Sequence, residues 1–165
     1  MDFNFLVVLA AGIFPLILGS VWYNPKTFGN VWMREAGITE DKMKGANMMM
    51  IFGLTLVLGM MLALGLYVAV IHQSHIYSVL MNSGLDNPES DASKLVQDFM
   101  AKYGTEFRTF KHGAFHGFLT SLFVILPAMA VNALFERKSW TYIFLNWGFW
   151  AVSATIMGGI ISAWA

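Results

Sequence analysis

The chain has 165 residues, ten basic and ten acidic side chains, no cysteine and a formal net charge of zero. It is 57% hydrophobic and only 12% charged, against about 25% charged in an ordinary soluble domain. Residues 3–25, 45–85, 112–135 and 139–165 contain no Asp, Glu, Lys or Arg, and each run reaches the roughly 20 residues a helix needs to cross a bilayer. The pattern excludes a soluble enzyme, a nucleic-acid binder and a disordered chain. It predicts one all-α membrane domain with four transmembrane helices.

The first helix is expected over 5–22. Its start carries Asp2 and no Lys or Arg, and no A-x-A-like site follows the apolar stretch. It therefore reads as a retained span rather than a cleaved signal. Pro15 lies inside it, as membrane helices tolerate, and predicts a kink. Gly12 and Gly19, seven apart, share a face that allows close packing. The next stretch interleaves Trp22, Tyr23, Phe28 and Trp32 with Lys26 and Arg34, around the turn signals at Asn24-Pro25 and Gly29-Asn30. Amphipathic rings beside cations suit the headgroup region, so a short surface-lying piece is expected there.

Thr39 before Glu40 and Asp41 resembles a helix N-cap. It predicts a second helix over 40–75, long enough to project beyond the bilayer. An amphipathic helix is expected over about 88–103, after Asn87-Pro88: Leu95, Val96, Phe99, Met100, Tyr103 and Phe107 lie opposite Lys94, Asp98, Lys102 and Glu106. It would lie on the membrane or under the bundle. The third span is expected over 107–135, with Pro127 inside. A tight hairpin at 136–139 follows, and then a fourth span over 140–164 capped by Ser139. The short first and third loops hold Lys26, Arg34, Lys42, Lys44, Arg137 and Lys138, whereas the second loop mixes four cations with five acids. The positive-inside rule then places loops one and three in the cytoplasm and both termini outside.

Two motifs, Trp22-Tyr23-x-Pro25-x-x-Phe28-Gly29-x-x-Trp32-Met33 and Asn132-Ala133-Leu134-Phe135-Glu136-Arg137, together with Met157-Gly158-Gly159-Ile160, resemble a bacterial family of small four-helix membrane proteins. It is the domain-of-unknown-function family numbered seventeen sixty-one. The resemblance implies a fold and the bacterial cytoplasmic (inner) membrane, but no activity. The loop between the second and third spans looks like an elaboration on the family's short form.

Four histidines form the sharpest chemical pattern. His72 and His75 are three apart, and His112 and His116 are four apart; both spacings put side chains on one helix face. Both pairs lie at the same end of the bundle, so all four imidazoles are expected to meet near the outer surface. Imidazole suits Zn²⁺ and Cu, and two facing rings can clamp a haem. The alternative is ordinary interfacial histidine. No acidic residue stands at a supporting spacing.

Other polar and small residues read as structural. Glu136 and Arg137 are expected to pair within the hairpin, or Glu136 with Arg34. Asn132 and Asn146 are expected to bond between the third and fourth spans. Gly113-x-x-x-Gly117 on the third span is a close-approach motif, and Ala154/Gly158/Ser162 forms a small-residue ridge on the last span. A second ridge, Ala151/Thr155/Gly159/Ala163, lies on an adjacent face; two ridges exceed what one neighbour needs, so one of them is expected to face another subunit in a homo-oligomer. Met48–Met50 and Met60–Met61 are adaptable filling, or thioethers for Cu(I). The chain has no H-E-x-x-H, phosphate loop, G-x-S-x-G or cysteine nucleophile. No catalytic residue is assigned, and the chain does not read as an enzyme. Three functional classes are left: an oligomeric scaffold subunit, a transporter or channel for small solutes or ions, and a metal or haem protein.

Overall fold

The computed structural model describes residues 4–165, and these contain helices and turns but no strand. The helices are α1 (Phe5–Trp22), α2 (Gly29–Ala36), α3 (Glu40–Lys44), α4 (Met48–Val70), α5 (Ser74–Val79), α6 (Asp91–Tyr103), α7 (Phe110–Thr120), α8 (Leu126–Phe135) and α9 (Trp140–Trp164). A wide π turn, Ser121–Ile125, joins α7 to α8, so Phe110–Phe135 acts as one span. Four helices are thus long and apolar enough to cross a membrane: α1, α4, α7–α8 and α9.

The expected helix over 40–75 is three helices. Asn47 accepts a hydrogen bond from the Met50 N–H (3.0 Å) and starts α4 afresh after Gly45 and Ala46. A capping side chain satisfies a backbone donor that a continuous helix would satisfy itself, so it marks a true start. The resulting 23-residue α4 is about 35 Å long at 1.5 Å per residue, which matches a bilayer without the projecting end. The amphipathic helix begins at Asp91 rather than 88. Asn87 forms a turn with the Glu89 N–H, and Ser90 caps the helix through the Ser93 N–H. The third span likewise starts at Phe110, where Thr109 caps the His112 N–H (3.2 Å), and not at Phe107. Ser139 caps α9 as expected, accepting from the Tyr142 N–H.

Pro127 lacks the N–H that would close an ordinary turn, and the π turn lies just before it. The Trp147 indole donates to the Ser121 carbonyl there (3.2 Å). Such a bulge re-satisfies backbone groups that the proline would otherwise strand.

The spans alternate in direction. The Asn4 amide donates to the Trp164 carbonyl (3.4 Å), and Arg108 Nε donates to the Ser162 carbonyl (3.3 Å). The start of α1, the end of α4, the start of α7 and the end of α9 therefore share one face of the bundle, with α6. The hairpin 136–139, α2 and α3 occupy the other. The core lies toward the first face: Val7, Val8, Ala11, Ala63, Leu66, Val70, Ile71, Ala154, Met157 and Ile161 are buried together. The outer surfaces of the spans carry exposed apolar side chains such as Leu6, Leu58, Met61, Phe123 and Val124, as helices solvated by lipid should.

Two glycine crossings hold the spans together. A Cβ on Gly113 would strike the Gly158 carbonyl and the Ser162 side chain, and one on Gly117 the Ala154 carbonyl. A Cβ on Gly59 would strike the Gly12 carbonyl, while Gly12 sits against Met60. Two residues of the second ridge on α9 also pack within the chain. Ala151 and Gly159 are buried, and the Phe110 ring lies on Gly159. The same crossings predict that Gly117→Val, which forces α7 off α9, lowers stability by about 1–3 kcal/mol. Gly53→Ala, with nothing within 4 Å of the new Cβ, should stay within about 0.5 kcal/mol. Denaturation followed by helical circular dichroism in detergent would measure both.

Candidate metal centre

His112 and His116 lie one and two turns into α7, each next to a packing glycine. Because Gly113 and Gly117 must face α9, the two histidines turn together toward the end of α4. His72 follows α4 between two anchored residues. Ile71 is fully buried in the core. Gln73, 5% exposed, donates its amide to the carbonyls of Tyr103 (3.1 Å) and Glu106 (2.7 Å). The result is convergence. His72 Nε2 lies 3.0 Å from His112 Nε2 and 3.3 Å from His116 Nε2, and the three rings offer ligand atoms all within 4.8 Å of one another.

His75 does not join them. Its Nδ1 faces the His72 carbonyl at 3.1 Å, and its ring centroid stands 6.5 Å from that of His72. The expected quartet is a trio because α4 ends at Val70 and the three-residue spacing is not carried on one continuous helix. Burial, then His112 and His75, hold the His72 imidazolium form below the usual histidine range. A neutral ring is the form that binds a metal.

An open cleft of about 580 Å³ adjoins the trio, lined by His72, Gln73, Phe99, Tyr103, Glu106 and Phe107. Phe107 has φ 60°, a left-handed conformation uncommon for a bulky side chain. Its carbonyl accepts from the Thr109 N–H (2.8 Å) and Ser162 Oγ (3.3 Å), and its ring lies 5.0 Å from that of His112. Sequence reasoning missed Gln73 and Glu106 as neighbours of the histidines. Glu106 reads as part of a solvated helix face, and only the two bonds from Gln73 reveal that its turn is drawn against the end of α4.

The remaining candidates are structural and sit at the opposite face. Trp22, Tyr23, Phe28, Trp32 and Phe149 form one aromatic cluster, with ring centroids 4.7 Å apart for Trp22–Phe28 and 5.1 Å for Tyr23–Trp32 and Tyr23–Phe149. The turn through Pro25 closes on Gly29, whose absent Cβ would strike the Tyr23 carbonyl. Asn146 does not pair with Asn132. Its Oδ1 accepts from the Tyr23 hydroxyl (3.1 Å) and its amide donates to the Tyr142 carbonyl (2.8 Å), while Asn132 is exposed on α8. Arg34 pairs with Glu35 (2.9 Å) rather than Glu136. Glu35 also accepts from Ser139, and Lys138 Nζ donates to the Ala36 carbonyl (3.2 Å). The Ser139 bond and then Arg34 hold the Glu35 carboxyl below the usual carboxylate range. Glu136 is exposed, and Arg137 has φ 55°, as the hairpin's tight reversal requires.

Four membrane-length apolar helices and no strand among the described residues define a multi-pass helical membrane protein. Within that class, residues 6–162 match the family described as "Protein of unknown function (DUF1761)", and the chain belongs to it. The match takes in all four spans and the loop between the second and third. Neither the curated proteins nor the solved structures gave a match.

The Tyr23 hydroxyl is raised above the ordinary tyrosine range, chiefly by burial and then by Tyr142. The neutral phenol is thus favoured in the fold. Its contribution is present below the unfolded value near 10 and lost as pH rises beyond it. Tyr23→Phe should cost about 1 kcal/mol at neutral pH and remove part of the alkaline destabilisation, read from thermal unfolding at pH 8 and 11.

Proposed function

We propose that the protein binds a divalent transition metal at the membrane surface through His72, His112 and His116. One observation carries this reading: the Nε2 atoms of His112 and His116 both approach His72 Nε2, at 3.0 and 3.3 Å. Two ligands about 2.0–2.1 Å from a tetrahedral ion lie about 3.3 Å apart. Neutral imidazole offers either one proton or one lone pair at a given nitrogen, so one Nε2 cannot pair fully with two others. A cation accepts all three lone pairs. Zn²⁺ suits this donor set best and Cu²⁺ next. Rings at hydrogen-bond separation leave no room for a haem plane between them.

Support for the other readings is weaker. Gly158 and Gly159, one from each small-residue ridge, pack against α7 within the chain, which leaves less of the ridges for a scaffold contact. A conduit needs free polar groups along it, but the hydroxyls of Ser20, Thr55, Thr120 and Ser121 within the spans each bond a carbonyl of their own span. The resemblance to a bacterial family supports the inner membrane, and the distribution of Lys and Arg supports an orientation with both termini and the histidines on the periplasmic side.

Purified protein in detergent should bind one Zn²⁺ or Co²⁺ per chain, counted by plasma emission after dialysis. His72→Ala or His116→Ala should weaken Co²⁺ binding by more than about 100-fold, beyond what loss of a merely supporting group costs, whereas His75→Ala should change it little. Equal losses in all three variants, or no retained metal, would overturn the assignment.

A further inference from the structure

We infer that the ion keeps one coordination position open toward the adjoining cleft, and that the cleft seats a single-chain amphiphile whose carboxylate-like head ligates the ion. The inference rests on the metal reading above. The protein supplies three ligands. His75, the one residue that sequence spacing nominated as a fourth, is turned onto the His72 carbonyl. Among the described residues the cluster that could hold a metal contains only His72, His112 and His116. Zinc sites with three protein ligands carry water or an exogenous ligand in the fourth position, whereas structural sites are closed.

His72 is both a ligand and a wall of the cleft, so the cleft adjoins the coordination sphere. Its volume, about 580 Å³, falls within the range of small-molecule sites, which are apolar with a few placed polar groups. The walls have that composition. Phe99, Tyr103 and Phe107 provide aromatic surface, while the Gln73 amide is already committed to two backbone carbonyls. Three neutral imidazoles leave the charge of a divalent ion uncompensated, which favours an anionic head. Glu106 is the one carboxylate lining the cleft, and it disfavours a doubly charged phosphate against a singly charged carboxylate or hydroxamate. The cleft lies between the end of α4 and the residues Phe99 and Tyr103 of α6, where the spans leave the apolar layer, so a tail and a head each meet their own solvent. Phe107, 64% exposed, presents an aromatic face beside His112, with ring centroids 5.0 Å apart.

The test uses the full chain loaded with Co²⁺ in phosphatidylcholine nanodiscs, with the visible cobalt bands as readout and two probes, octanohydroxamate and acetohydroxamate. Both should shift the bands saturably, the octyl probe at least about tenfold more tightly, a modest share of what burial of the added methylenes can supply. Phe99→Ala/Tyr103→Ala should abolish that preference while leaving acetohydroxamate and Co²⁺ affinity unchanged. Glu106→Gln, at an exposed position, should leave the chain-length preference intact and strengthen binding of octyl phosphate. Cobalt bands unmoved by either probe would mean a closed coordination sphere and overturn the inference. So would equal affinity for the two probes, or a preference that survives Phe99→Ala/Tyr103→Ala, since lipid partitioning alone would then explain it. Glu106→Gln without effect on octyl phosphate would overturn the assigned head selectivity. Failure of Co²⁺ to bind at all would instead overturn the metal centre itself, and the inference with it.

Discussion

The backbone contact between α7 and α9 fixes most of what is distinctive in this molecule. At Gly113 and Gly117 the helix lies directly on the carbonyls of Gly158 and Ala154. In lipid there is no hydrophobic gain from bringing two apolar helices together, so contact depends on close packing. A glycine face has only one way to meet its partner. It therefore sets the rotation of α7 about its own axis, and with it the direction of His112 and His116. The same crossing sets the height of α7 along α9, where Arg108 and Ser162 tie the preceding turn to the end of α9.

His72 is held by a different device. Its neighbours are immobilised in opposite senses, Ile71 by apolar burial and Gln73 by two bonds to the turn after α6. Gln73 is a buried polar side chain whose amide donates to the carbonyl of Tyr103, the last residue of α6, and to that of Glu106 in the turn that follows. Such a bond is costly to break, because the buried group then has no substitute. The loop between the second and third spans is thus joined to the bundle at the place where the imidazoles converge, and α6 forms one wall of the site.

The four spans are legible in the sequence because lipid solvation demands long uncharged runs, and that demand is local. The capping residue of α9, the glycine motif and its ridge are legible for the same reason, since each is a spacing on one helix. The losses have a common cause. Asn47, Ser90 and Thr109 each begin a helix later than the composition suggests, because the apolar or amphipathic pattern runs through the break without change. The fourth histidine was expected in the cluster only because α4 was expected to continue past it. Asn146 pairs with Tyr23, 123 positions away, and Glu106 reaches the cleft through Gln73. Neither relation leaves a trace in periodicity. The spacing of the second ridge on α9 likewise does not reveal that the ring lying on its Gly159 is Phe110, from the start of α7.

The wide turn at Ser121–Ile125 has a consequence for how the third span can vary. It acts as one residue inserted into a helix, and at 3.6 residues per turn one residue shifts the facing direction by about 100°. The half that bears the imidazoles and the half that leads to the hairpin are consequently out of phase, each with its own seam along α9. Changes in lipid-facing or hairpin residues of α8 need not twist the ligand-bearing half, because the offset absorbs them. The Trp147 indole, bonded to the carbonyl at that junction, is the pin about which the two halves are clocked.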